Sequence, residues 1–135
     1  LTERLGSMRV IIESPYSSGE HVPSWETSYL NIEYAKRCLL DSLKRGESPF
    51  ASHLLYTQVL DDRDFDQRKM GMTLALAWYE VSDLCAVYTD RGISEGMESG
   101  IKHAESLSIT VEKRSLENDE TIQTSLSNSI KPYWR

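Results

Sequence analysis

The chain predicts an α/β fold, an open parallel sheet of about four to five strands with helices on both faces, flavodoxin-like or Rossmann-like in kind. Three observations predict it. Compact apolar runs at Val10-Ile11-Ile12 and Leu84-Cys85-Ala86-Val87-Tyr88 lack polar alternation and suit strands covered on both faces. Segments with apolar residues spaced three and four apart lie between such runs. The order is strand, helix, strand, helix, strand, helix, strand, which implies parallel pairing through crossovers.

Each element has its own signal. The first strand holds three β-branched residues and stops before Ser14-Pro15. Residues 17–28 carry Gly19 and Pro23 and read as a loop, longer than the ~2–6 residues usual there. Asn31 is the expected cap of the first helix. Ile32, Ala35, Cys38, Leu39 and Leu43 form its inward face, and Lys44, Arg45 and Gly46 close it. Pro49-Phe50-Ala51 makes a short second strand leading into Ser52-His53. Residues 54–60 are apolar but ambiguous in period, an irregular or helical turn. Asp61-Asp62-Arg63-Asp64 is a polar loop. Asp66 is the expected cap of a second helix that buries Met70, Leu74, Ala77, Trp78 and Val81. The third strand ends in the turn Thr89-Asp90-Arg91-Gly92. Ser94 begins a third helix with Met97, Ile101 and Ala104 inward, and Ile109-Thr110-Val111 is a fourth strand.

The bulk properties fit one domain. The chain has 135 residues, 39% hydrophobic and 27% charged, a globular balance. A net charge of −6 argues against binding a nucleic-acid polymer, which needs a concentrated basic face, but permits a small anion held locally. Cys38 and Cys85 form no C-x-x-C pair. They read as buried free thiols of a reducing, cytoplasmic compartment. No apolar run approaches the ~18 residues of a membrane span, and no signal peptide is visible. Residues 1–7 are expected to be a cloning remnant before a native start at Met8. Residues 8–115 form the expected α/β domain. Residues 116–135 are a tail, with Tyr133-Trp134 placed to dock on this subunit or a neighbour.

In open α/β sheets ligands bind beyond the carboxyl ends of the strands, at the switch point of strand order. Four segments are expected around one crevice: Glu13-Ser14-Pro15-Tyr16, Ala51-Ser52-His53, Thr89-Asp90-Arg91-Gly92, and Glu112. A helix starting at Ser94 would aim free N–H groups into it. Glu13 follows a buried strand and needs a partner, either a ligand hydroxyl or a neighbouring loop. Tyr16 either stacks on a ligand or packs on residues 17–28. His53 either holds a phosphate or proton or sits as a surface or capping residue. Arg68 and Lys69, with Arg63, either salt-bridge to Asp61, Asp62, Asp64 and Asp66 or reach a phosphate; Arg91 is better placed. Gly92, Gly96 and Gly100 are spaced for close helix approach, without a phosphate-loop or dinucleotide fingerprint. His21, His53 and His103 have no ligand-like spacing, so neither a metal nor another cofactor is expected.

The frame from Val10 to Tyr16, then Phe50-Ala51-Ser52-His53, then Asp83 to Asp90 leading into Gly92 and a helix, resembles the nucleoside 2-deoxyribosyltransferase-like superfamily. More closely it resembles a subgroup of small proteins common in bacteriophages, which carry stretches similar to residues 49–58 and to Gly92-Ile93-Ser94-x-Gly96-Met97. The resemblance covers most of residues 8–114. It implies a nucleoside-sized pocket and assembly into dimers or larger rings. The enzymes recognise the base with an Asp, matched by Asp90, and cleave an N-glycosidic bond with a Glu. The matching position here is Gly96, bracketed by Glu95 and Glu98, and a shift of one or two helical positions turns a side chain by about 100° or 200°.

Two functions follow. The first is non-catalytic binding of a nucleotide or nucleoside-derived ligand by Glu13, Ser14, Pro15, Tyr16, His53, Arg68, Asp90, Arg91, Gly92, Ser94, Gly96 and Met97. In a phage protein this would sequester a host nucleotide immune signal in the infected cell. The alternative is a deoxyribosyltransferase or nucleotide N-glycosidase using Glu98, Glu95 or Glu13.

Overall fold

The computed structural model describes residues 8–16 and 25–116. The cloning-remnant reading of residues 1–7, most of the 17–28 segment and nearly all of the tail fall outside those residues. The elements run β1 (Arg9–Glu13), α1 (Trp25–Lys44), β2 (Ser48–Phe50), a one-turn α2 (Ser52–Leu55) extended by a 3-10 turn (Tyr56–Gln58), α3 (Phe65–Leu76) extended by a second 3-10 turn (Ala77–Val81), β3 (Leu84–Tyr88), α4 (Glu95–Ser106) and β4 (Thr110–Arg114). The four strands form one parallel sheet in the order β2-β1-β3-β4. This is the open α/β fold that the runs and periods predict.

Strand chemistry matches strand position. β3 lies inside the sheet and is buried along its whole length. The edges are blunted instead. β2 carries Pro49, opposite Val10, and proline is tolerated at an edge because its missing N–H costs no ladder bond. β4 carries the exposed Glu112 and Lys113, a usual guard against edge pairing.

Strand residues alternate between two cores. Val10, Ile12, Leu84, Ala86 and Tyr88 face α1, where Tyr34 and Cys38 are buried. Ile11, Cys85 and Val87 face α4 through Met97 and Ala104. Helices therefore cover both faces. Both cysteines are buried free thiols. No helix among the described residues is long and apolar enough to cross a membrane.

Three local expectations are corrected. Helix α1 begins at Trp25, so Asn31 is an interior position and its side chain is spent on tertiary bonds. Helix α3 is capped by Asp64, whose carboxylate accepts from the Gln67 N–H, and Asp66 sits in the first turn. The buried side of α3 and its 3-10 extension is Ala75 and Tyr79, whereas Met70, Leu74, Ala77, Trp78 and Val81 are exposed. Apolar and polar residues are interspersed around this helix without forming a stripe, so periodicity could not single out the inner face. The ends of the other helices follow the sequence: Gly46 adopts φ 83° just beyond α1, and Ser94 caps α4.

The α1 face is tied to the sheet edge by one buried cation. Arg114 lies opposite Tyr88 in β4, donates to both oxygens of Glu47 at 2.8 and 2.7 Å, and donates to the Tyr88 hydroxyl at 3.1 Å. Tyr88 in turn donates to Asp41 at 2.7 Å. The guanidinium beside Glu47 holds that carboxyl below its ordinary range. Removing Arg114 takes the bidentate partner from the part-buried Glu47, which keeps the Ser42 hydroxyl, and one donor from the buried Tyr88 hydroxyl. Arg114→Ala is therefore expected to cost about 3–5 kcal/mol, read as a lower urea midpoint with an unchanged denaturant slope.

Candidate functional site

A cavity of about 430 Å³ lies beyond the carboxyl ends of β1 and β2, between α3 and the amino end of α4. Its size falls within the roughly 300–1,000 Å³ of small-ligand sites. The strand order sends the chain after β1 and after β3 in opposite directions, and a crevice at such a switch point is the usual ligand position. Residues of β1 form the floor, His53 and Tyr56 one wall, Gln67, Arg68 and Met72 of α3 another, and Ser94 to Met97 the far side.

Glu13 sits at the centre of the floor. It is the last residue of β1, 9% exposed, and on the α4 face. Burial lifts its pKa to about 7, although the Tyr79 hydroxyl, which donates to it, pulls the other way. Burial and the adjacent Glu13 charge push the Tyr79 hydroxyl upward as well, so it remains a donor. Both groups fit because α4 presents no side chain there. A Cβ at Gly100 would land on the Glu13 carboxyl and within 2.5 Å of the Tyr79 oxygen. The tyrosine ring is flanked edge-on by His103, with centroids 5.3 Å apart.

A second polar pair stands beside it. Ser14 Oγ and His53 Nε2 are 2.7 Å apart, joining the end of β1 to the start of α2. Burial lowers the His53 pKa to about 4, so the ring is neutral at pH 7. Tyr16 packs edge-on to His53, with centroids 6.4 Å apart. Its carbonyl accepts from Asn31 Nδ2 at 3.2 Å, and Asn31 Oδ1 accepts from Arg91 Nε at 2.8 Å.

The charged groups lie toward the rim. Arg68 reaches Asp62 at 3.7 Å, and both are part-exposed. The Arg63–Asp61 pair, at 3.1 Å, is more exposed still, so two of the salt bridges read from the sequence are present, while Asp64 caps α3. At α4, Ser94 Oγ accepts from the Met97 N–H at 3.2 Å, and the exposed Glu95 lines the cavity in the first turn.

The structure gathers Glu13, Ser14, Tyr16, His53, Arg68, Ser94, Glu95, Gly96 and Met97 around this cavity. Pro15, Asp90, Arg91, Gly92, Glu98 and Glu112 are not among its lining residues. The largest departure is Asp90. Glu13 pairs with Val87 on the α4 face, whereas Asp90 lies in the turn after β3 and turns to the α1 face. Asp90 instead accepts from the Tyr34 hydroxyl at 2.6 Å, from the Ser115 hydroxyl and from the Leu116 N–H at 2.8 Å. Burial raises its pKa, but these bonds outweigh that and hold the carboxyl below its ordinary range. Gly92 holds φ 84° in the turn that leads to α4. The sequence reading missed Tyr79; the available signal was a buried carboxyl at Glu13 in need of a donor. No group of three or more His, Cys, Asp or Glu among the described residues could hold a metal ion.

A family profile described as a domain of unknown function, DUF7768, matches residues 8–114. The chain belongs to this family. The matched span begins just before β1 and closes with β4, so every strand and cavity wall described here lies within the DUF7768 region. No curated protein matches the chain.

Two stability measurements test this arrangement. Gly100→Ala is expected to destabilise by roughly 1–3 kcal/mol through overpacking, read by urea denaturation. The pH profile is the second. A folded pKa near 7 for Glu13 against 4.5 unfolded means that the folded state keeps a proton the unfolded chain has released. Its contribution is complete below pH 4.5 and falls by about 1.4 kcal/mol per pH unit up to pH 7. His53, with a folded pKa near 4 against 6.5, has the opposite sign and loses stability as pH falls through that window. Relative to wild type, Glu13→Gln is therefore expected to gain stability steadily from pH 4.5 to 7, and a flat difference would refute the buried protonated carboxyl.

Proposed function

We propose that the cavity binds a nucleoside or nucleotide-derived ligand without covalent chemistry. The observation that carries this reading is Glu13, a buried carboxyl facing a cavity of about 430 Å³ at the switch point of the sheet. Near neutral pH such a group can donate to or accept from sugar hydroxyls. Tyr16 and the neutral His53 supply aromatic surface beside it. The first N–H groups of α4 and Arg68 can meet a phosphate, with Glu95 opposing a large negative charge. The resemblance to the deoxyribosyltransferase-like superfamily supports the ligand class, and its phage subgroup supports a role in sequestering a host nucleotide signal. Absence of catalysis is supported by the placement of the helical carboxylates: Glu98 is exposed and does not line the cavity, and Glu95 lies at an exposed rim.

One observation favours a second reading. Glu13, steadied by Tyr79, is itself a carboxyl in the cavity floor, and a carboxylate there could attack an anomeric carbon and release the base. Incubation with nucleosides, nucleotides and cyclic nucleotides, followed by chromatography of the supernatant and of the heat-released fraction, separates the two. We expect intact ligand to return only after denaturation, and Glu13→Ala to weaken its binding at least ~10-fold, the loss of about 1.4 kcal/mol. Free base, abolished in Glu13→Gln, would instead establish cleavage. No depletion of any compound sinks both readings.

A further inference from the structure

The charges that line the cavity are mostly negative. Among its described lining residues stand three carboxyl groups, Glu13, Asp62 and Glu95, and one guanidinium, Arg68. Arg68 is already paired with Asp62 at 3.7 Å. Glu13 is the buried one of the three carboxyls, and it enters none of the ion pairs formed among the described residues. Tyr79 donates to its Oε2, and no described side chain donates to its Oε1. The other titratable groups around it supply no cation. His53 of α2 is neutral, since burial lowers its pKa to about 4. Cys85 of β3 is a thiol whose pKa burial pushes up to about 12. Tyr79 is an uncharged donor. His103 of α4 packs edge-on against the Tyr79 ring. A desolvated carboxylate without a cation is costly, and Glu13 lowers that cost by holding its proton up to about pH 7.

We infer that the cavity selects a nucleoside or nucleoside monophosphate whose base carries a fixed positive charge, with the Glu13 carboxylate as its counter-ion. This rests on the nucleoside reading above and narrows it. An opposite charge nearby favours the ionised form of a buried carboxyl, so a cationic ligand supplies what the floor lacks. The aromatic residues Tyr16, Phe50, Tyr56 and Tyr79 line the same cavity, and aromatic rings attract cations through their quadrupole. In a pyridinium nucleoside the charge sits on the ring nitrogen bonded to the sugar. Glu13 can then accept from a sugar hydroxyl and face the charge together. Arg68 and the amino end of α4 can meet one phosphate, whereas a polyphosphate would add repulsion from three carboxyl groups set against a single guanidinium. A neutral base gains nothing from ionised Glu13, so the pH dependence of binding separates the two kinds of ligand.

Isothermal titration calorimetry on the full chain tests it. The probes are the carbocyclic analogue of nicotinamide riboside, a fixed cation whose glycosyl bond resists cleavage, and its reduced, uncharged dihydro form, with adenosine as a neutral reference. At pH 8 the cation is expected to bind at least ~10-fold more tightly than the reduced form. A group with a pKa of about 7 is ionised roughly tenfold more at pH 8 than at pH 6. Affinity for the cation is therefore expected to fall about 10-fold from pH 8 to pH 6, while affinity for the reduced form does not fall. At pH 6 binding of the cation is expected to release close to one proton, read as a heat that scales with the ionisation enthalpy of the buffer. Glu13→Gln should abolish the preference, the pH dependence and the proton release, and His103→Gln should retain all three. Equal affinity for the two forms, or a cation affinity that is flat with pH in the wild type, overturns the proposal while nucleoside binding stands. If neither form nor adenosine binds, the nucleoside reading itself fails and this inference falls with it.

Discussion

A carboxyl group held out of water at the end of β1 organises this molecule. Glu13 is buried and bonded to Tyr79, and it occupies space that any side chain at position 100 would fill. An isolated buried charge would be prohibitively costly. The group is tolerated because it can take up a proton near neutral pH and because a tyrosine hydroxyl meets it. Three elements are constrained together as a result. Strand β1 must end there, the 3-10 turn after α3 must bring its tyrosine inward, and α4 must cross with a glycine at the contact. The orientation of α3 follows, since turning Tyr79 toward Glu13 leaves Leu74 and Trp78 facing out.

The opposite face of the sheet is held by a different polar device. There Arg114, Glu47, Tyr88 and Asp41 form a bonded chain between β4, β3 and the end of α1, while Asp90 stitches the end of β3 to α1 and to the residues after β4. These groups are mutually satisfied, as buried polar networks must be to avoid a net cost. The Glu13 face differs because its polar atoms border open volume. The Ser14–His53 pair and Glu13 both line the cavity, which is why ligand chemistry is sought there and not beside the equally polar Asp90. Having two polar ends on one sheet is a consequence of the pleat. Adjacent strand residues point to opposite layers, so the carboxyl ends of the strands supply both a structural cluster and a ligand floor.

Much of this was legible in residue order. The run Val10-Ile11-Ile12-Glu13 places a carboxylate directly after buried β-branched residues, and the need for a partner follows from desolvation alone. Gly100 stood out by its spacing, and Ser94 by its capping chemistry. Asp90 was misplaced because nearness to a strand end says nothing about which face a residue takes; the turn after β3 carries its carboxylate to Tyr34 of α1. Asn31 was misread because a good capping residue in mid-helix looks the same in sequence whether it caps or bonds across the fold. Helix α3 was misread for a deeper reason: with apolar and polar side chains interspersed around it, periodicity selects no inner face.

The sequence by itself determined the class of fold, the parallel pairing, and the strand ends where polar chemistry gathers, because these follow from local period, burial preference and chain connectivity. Tertiary structure alone decided which polar residues share a cavity. That choice depends on strand register, on the face each helix turns inward, and on the close approach of Gly100 to Glu13 and Tyr79, which exists only when α4 is laid against β1. Such contacts join residues tens of positions apart, and no short-range pattern encodes the distance between them.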